Sequence, residues 1–307
     1  MAQAWLKSLL PGPTRAPAAP RVSSRSETLM VAGRRRRYLL VGPPPDARRY
    51  SQPAAVLIVL HGSSQTGQAV RSFSGNSFDF LAAEGRVAVV YPDGLKKRWN
   101  HNKSAREATN DVAFMDALAG HFNALLGQVP VIVVGFSNGG QLAIRLIHEI
   151  PQKLYGAAIV GATLPRPGGL AFTDQYQPVP VMLIHGTHDP VVPYGGEGWF
   201  GSLLGRPRGP SAPETAAYFA ARNGITAAPK TTVLPHRPES GRTAVTLTRY
   251  EQPGLASVAL YTVCGGGHVV PNRQRKAVIV AGRTTQDISA VAALAEFFPA
   301  LRQQPRG

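Results

Sequence analysis

The chain has 307 residues, 44% hydrophobic and 16% charged, a composition that excludes a disordered protein and allows a sizeable core. A single cysteine, Cys264, excludes an intrachain disulfide, and no run reaches the ~18 apolar residues of a membrane span. The net charge is +16, and half of it sits in residues 1–50, where ten Lys/Arg face only Glu27 and Asp46.

Residues 1–26, rich in Pro, Ala, Arg and Ser, are expected to form a flexible basic segment, followed by one α/β domain over 27–307. The segment lacks the apolar core of about 7–15 residues that a signal peptide carries, which makes the cytoplasm the default location. Basic segments can meet nucleic acid or anionic surfaces, but solubility is the simpler reading of an arginine-rich composition, and no nucleic-acid partner is expected. Thr28 to Val41 reads as the first strands, interrupted by Gly33 and Arg34 to Arg37. Ala54 to Leu60 (AAVLIVL) has the length and β-branched content of a fully buried strand. It runs into His61-Gly62-Ser63-Ser64-Gln65. Phe78 to Ala83 suits a helix, Val87 to Val90 another buried strand, and Lys96 to Arg106 a polar, basic loop containing Trp99. Asn110-Asp111 opens a helix with Phe114, Met115, Leu118, Phe122 and Leu125 at helical spacing.

The run Val131 to Val134 ends at Gly135-Phe136-Ser137-Asn138-Gly139, and an amphipathic helix follows from Gln141 to Ile150. Strand, G-x-S-x-G and helix make a nucleophile elbow, a strained turn that leaves the serine exposed above the sheet. Ala157 to Ala162 and Val179 to Ile184 are further strands, the second ending in His185-Gly186-Thr187-His188-Asp189. Gly195 to Pro213 is a Gly/Pro-rich insertion with Trp199 and Phe200. A helix over Ala216 to Asn223, strands within Thr231 to Tyr250 and over Val258 to Val263, and a helix over Ile288 to Phe297 complete the chain. Strands alternating with helices predict a mostly parallel sheet covered on both faces.

A serine becomes a nucleophile at neutral pH only beside a base, and the base needs an orienting acid. Ser137, Asp189 and His268 stand in the chain order of an α/β-hydrolase triad, each at the end of a strand. His185 and His188 precede the acid, His236 lies in a Pro-rich segment with no strand leading to it, and the rival acid Asp174 also follows no strand. The oxyanion of a tetrahedral intermediate needs two backbone donors. Asn138, after the nucleophile, and Ser63, after the early strand, are the candidates. Cys264 reads as a small buried hydrophobe rather than a second nucleophile. Trp99, Tyr194 and Trp199 are candidate walls of a substrate pocket. No zinc-ligand cluster, Walker loop or dinucleotide fingerprint is present, so neither metal nor cofactor is expected.

The motifs Leu60-His61-Gly62-Ser63-Ser64-Gln65, Tyr91-Pro92-Asp93-Gly94, Asp111-Val112-Ala113-Phe114, Gly135-Phe136-Ser137-Asn138-Gly139-Gly140, His185-Gly186-Thr187-His188-Asp189-Pro190 and Gly265-Gly266-Gly267-His268 occur in this order. In this the chain resembles the polyhydroxybutyrate depolymerase and feruloyl esterase family of α/β-hydrolases over roughly Tyr38 to Leu301. The resemblance implies a carboxylic ester hydrolase with Ser137, Asp189 and His268 as triad and Ser63 with Asn138 as oxyanion hole. Its substrate would be an ester, a polymer included. Many relatives carry cysteine where Ser63 stands, and many are secreted. A serine peptidase with the same triad, and a non-catalytic module docking a polymer or anionic surface, stay open from the sequence, as does the oligomeric state.

Overall fold

Ala55–Leu60 and Val131–Phe136 form strands β3 and β5, and every residue of both is buried. Such uninterrupted apolar runs belong to parallel strands covered on both faces. The computed structural model of the chain describes residues 20–42, 53–83, 85–101, 110–166, 173–196, 209–273 and 281–302. Trp199, Phe200, most of the Gly/Pro-rich insertion and residues 1–19 lie outside them.

The remaining strands are β1 (Ser23–Val31), β2 (Arg34–Gly42), β4 (Val87–Pro92), β6 (Gly156–Val160), β7 (Val181–Gly186), β8 (Lys230–Val233), β9 (Ala244–Tyr250) and β10 (Val258–Cys264). They form one ten-stranded sheet in the order β1-β2-β4-β3-β5-β6-β7-β10-β9-β8. The six strands from β4 to β10 in that order are parallel, and antiparallel pairs flank them on each side. The helices are α1 (Gly67–Phe73), α2 (Asp79–Ala83), α3 (Asp111–Leu126), α4 (Asn138–Glu149), α5 (Ala212–Arg222) and α6 (Ala290–Phe297).

Successive residues of a strand face opposite sides, so each strand feeds two cores. Ile58 and Val133 pack with Phe114 and Leu118 of α3, Leu142 and Leu146 of α4 and Phe219 of α5. Leu57 and Ile132 pack on the other face with Val70 of α1, Ala82 of α2 and Leu294 of α6. From β3 the chain steps outward to β4, then crosses back to place β5 on the other side of β3. Loops leaving neighbouring strands therefore part above β3 and β5, where open α/β sheets hold ligands.

Two expectations need correction. The arginine run does not interrupt the first strands: Arg34 to Arg37 lie within β2, with Arg36 buried and Arg34, Arg35 and Arg37 exposed. The interruption is the two-residue turn Ala32-Gly33, both with positive φ (44° and 73°), the backbone twist that suits a tight hairpin. And β1 begins at Ser23, so the boundary drawn between residues 26 and 27 falls inside a paired strand. Among the described residues no helix is long and apolar enough to cross a membrane.

Candidate active site

The elbow is built by close contact. Ser137 has φ 54° and ψ −118°, a conformation that is costly for a residue with a side chain. Its N–H donates to Val160 O at 2.9 Å and its carbonyl accepts from Gln141 N at 3.0 Å, which fixes the turn from both ends. A Cβ on Gly135 would collide with the Gly139 carbonyl, and one on Gly139 would lie 2.5 Å from Leu60 O. The two glycines thus let α4 seat directly on the ends of β5 and β3. Ser137 is half-buried, and α4 begins at the next residue, Asn138, whose N–H has no acceptor within the helix.

Asp189 follows β7, and both of its oxygens are engaged. Oδ1 accepts from the N–H groups of Val191 and Val192, each at 2.8 Å. Oδ2 pairs with His268 Nδ1 at 2.7 Å. A carboxylate accepts only, so this bond assigns the proton to Nδ1 and leaves Nε2 as the free base. His268 is buried in the loop after β10, its N–H bonded to Ala281 O at 2.6 Å. Its ring packs at a 40° tilt on Phe136, the residue before Ser137, with centroids 4.8 Å apart. Gly161 makes room for it, since a Cβ there would lie 3.1 Å from His268 Cε1 and Nδ1. The imidazole is thus held among the ends of β5, β6 and β7.

The Ser63 N–H has no acceptor among the described residues, and its direction is set indirectly. Gly62 O, on the same peptide plane, accepts from His61 Nδ1 at 2.7 Å and from Gln65 N at 3.3 Å. A trans peptide points its N–H away from its C=O, so these two donors turn the Ser63 N–H the other way. Gln65 closes the loop by accepting from Gly62 N at 3.0 Å. His61 Nε2 accepts from Gly94 N at 2.9 Å, so His61 is neutral with its proton on Nδ1. Burial pushes its pKa below the ordinary histidine value.

Trp99, expected in a pocket wall, is instead a brace. It is only 3% exposed. Its indole N–H donates to His61 O at 2.9 Å, and its ring tilts over the His61 ring at 4.7 Å. Its backbone N–H donates to Asn138 Oδ1 at 2.7 Å, and Asn138 Nδ2 returns a bond to Trp99 O at 3.3 Å. One residue therefore ties the loop of Ser63 to the first turn of α4. Tyr194 is also a prop: half-buried, it bonds Thr262 Oγ1 at 2.8 Å and meets His185 edge-on. The roles of Gln65, Gly94 and Trp99 escape a sequence reading because each depends on a partner distant in the chain or on loop geometry.

The rival groups have other partners. His185 is buried and lies 3.5 Å from Asp189 Oδ2, but it donates Nε2–H to Val192 O at 2.8 Å, and burial lowers its pKa. His188 is exposed beside Thr187. His236 pairs with Asp287 at 3.2 Å. Asp174 is bridged by Arg222 at 2.6 Å. Burial is the largest single influence and works to raise its pKa, but the Arg222 hydrogen bonds, the Tyr176 N–H and the nearby positive charge together hold it below the ordinary carboxylate value. Cys264 ends β10, half-buried and with a free thiol. Among the described residues no group of three or more His, Cys, Asp or Glu is placed to hold a metal ion.

Residues 48–200 match the family model described as phospholipase/carboxylesterase. The Nocardia uniformis subsp. tsuyamanensis protein named "Putative esterase NocK" is 28% identical over 298 residues, covering 92% of this chain and 84% of its own. Among solved structures, the acetyl xylan esterase from Aspergillus awamori superposes with a TM-score of 0.57 at 14% identity, covering 81% of this chain and 95% of that one. That likeness speaks for the fold alone. A mostly parallel sheet with helices on both faces, the elbow after β5 and the family match together make the chain a carboxylic ester hydrolase with the α/β-hydrolase fold.

Proposed function

We propose that the chain cleaves esters through an acyl-enzyme on Ser137. Ser137 Oγ attacks the ester carbonyl while His268 Nε2 takes its proton. The oxygen that becomes negative is met by the N–H groups of Ser63 and Asn138. His268 then protonates the departing alcohol, and water, deprotonated by the same nitrogen, releases the acid. Asp189 keeps the proton of His268 on Nδ1 and steadies the imidazolium that forms. The observation that carries this reading is the 2.7 Å bond between His268 Nδ1 and Asp189 Oδ2, made by an imidazole that packs on the residue before the elbow serine.

The substrate reading is a polyester, aryl or short-chain ester, supported by the six ordered motifs shared with polyhydroxybutyrate depolymerases and feruloyl esterases. Ser137→Ala tests the mechanism: hydrolysis of p-nitrophenyl butyrate should fall by about 10⁶-fold, the scale of losing a serine nucleophile. Wild-type turnover in that variant would reject the triad. Release of soluble acid from a polyhydroxybutyrate suspension, compared with hydrolysis of methyl ferulate, tests which ester class is preferred.

A further inference from the structure

The charges at the ester-cleaving end of the sheet are unevenly partnered. Among the described residues of the loops there, four aspartates are committed inside the protein, and Glu239 is exposed. Asp93 pairs with Arg37 and accepts from Gly67 N, Asp111 pairs with buried Arg36, Asp189 with His268, and Asp287 accepts from Ser240 and Arg237 N. Four exposed cations have no carboxylate partner among the described residues: Arg242, which shares a loop with Glu239, and the trio Lys97, Arg98 and Arg283.

The backbones of the trio are anchored to the site from two sides. The Lys97 carbonyl accepts from Ser64 N at 2.9 Å, one residue past the proposed oxyanion donor. Arg98 immediately precedes Trp99, which is clamped to Asn138. The Arg283 carbonyl accepts from Gly267 N at 2.9 Å, one residue before His268. Lys96 and Lys97 both hold positive φ (52° and 58°), a conformation costly for lysine, so the bend that presents this basic turn is maintained against its own strain. From these anchors a lysine or arginine side chain can bring its charge to within about 10 Å of the scissile bond.

From this we infer that the site is tuned to anionic esters, whose acyl half carries a carboxylate beyond the scissile bond. This rests on the triad reading above. Three unit charges at this range in water favour a monoanion over a neutral isostere by about fivefold at about 0.01 M ionic strength, and by less than about twofold at about 0.15 M.

The test compares kcat/KM for p-nitrophenyl hydrogen adipate and for its terminal amide, p-nitrophenyl 5-carbamoylpentanoate, across a salt series. The ratio of acid to amide should fall about fivefold toward its high-salt value as salt rises. It should also fall at low salt in the triple variant Lys97→Asn/Arg98→Gln/Arg283→Gln. The salt series needs no variant, so misfolding of the triple variant would leave the question answerable. A wild-type ratio that salt does not move overturns the inference, as does a folded triple variant with the wild-type ratio. If Ser137→Ala is inactive on both esters while the ratio stays fixed, only the anionic preference falls. If Ser137→Ala keeps wild-type turnover, the triad reading falls first.

Discussion

At the scale of single residues, the site depends on groups that never touch substrate. Trp99 donates its indole N–H to His61 O and its backbone N–H to Asn138 Oδ1. Replacing it with phenylalanine keeps the ring and the backbone bond but leaves a buried carbonyl unpaired, at a cost of about 1–3 kcal/mol. If that cost appears as misplacement of the Ser63 N–H, Trp99→Phe should lower kcat on p-nitrophenyl butyrate about tenfold, with KM within about twofold of wild type. An unchanged kcat would reduce Trp99 to core packing. Asp189→Asn makes the complementary case. The amide oxygen can still accept from Val191 and Val192, so the loop should keep its shape. What changes is the group facing His268 Nδ1, which then favours the wrong tautomer. The expected loss is about 10⁴-fold in kcat, with a thermal midpoint close to wild type.

At the scale of elements, the ion pair between Arg36 on β2 and Asp111 at the start of α3 fastens the edge of the sheet to the loop that carries Trp99. Arg36 NH2 lies 2.6 Å from Asp111 Oδ1, and Asp111 Oδ2 accepts from Asn100 N at 2.7 Å. The guanidinium also lies 4.1 Å from the centre of the Phe114 ring. Both side chains are buried, so Arg36→Met strands a charge and should destabilise the protein by about 3–5 kcal/mol, read as a lower urea midpoint. Adding Asp111→Asn removes the stranded charge while keeping an acceptor for Asn100, and should restore a large part of the loss. The same elements show what the chain discloses on reading. β3 and β5 were legible because six consecutive buried residues leave no polar alternation to misread, and α4 because the elbow announces it. β2 is hidden because four arginines look like a solvated loop until Arg36 finds Asp111, 75 residues on. α1 was passed over because seven residues carry too little periodicity. Its signal was Thr66, whose hydroxyl accepts from Ala69 N as an N-cap. The order of Ser137, Asp189 and His268 was readable from strand-end spacing, whereas the position of Trp99 was not, because its partners lie 38 and 39 residues away.

At the scale of the whole molecule, four neutral histidines held away from water make the fold sensitive to mild acid. His61, His148 and His185 sit at the ends of β3, α4 and β7, half-buried His101 follows Trp99 and Asn100, and burial lowers the pKa of each. In the unfolded chain each takes up a proton near its ordinary value, about 6.5. Below that pH the unfolded state binds more protons than the folded state, so stability is complete above about 6.5 and declines as pH falls through the window down to the lowered folded values. The slope for each group is at most about 1.4 kcal/mol per pH unit, or about 5.5 for the four together. His61 should resist protonation most, because a proton on Nε2 would face the Gly94 N–H that it now accepts. His148 is held by Ile144 O and the Tyr218 hydroxyl, which can rotate to accept instead. Thermal unfolding followed between pH 7.5 and 5.5 should therefore show a falling midpoint. His148→Gln, which cannot titrate, should flatten the curve by up to about a quarter, and His61 should account for more of the remainder than His185, whose Nδ1 faces no donor. A midpoint that stays level across this range would mean that the histidines take up protons in the folded state as readily as in the unfolded one.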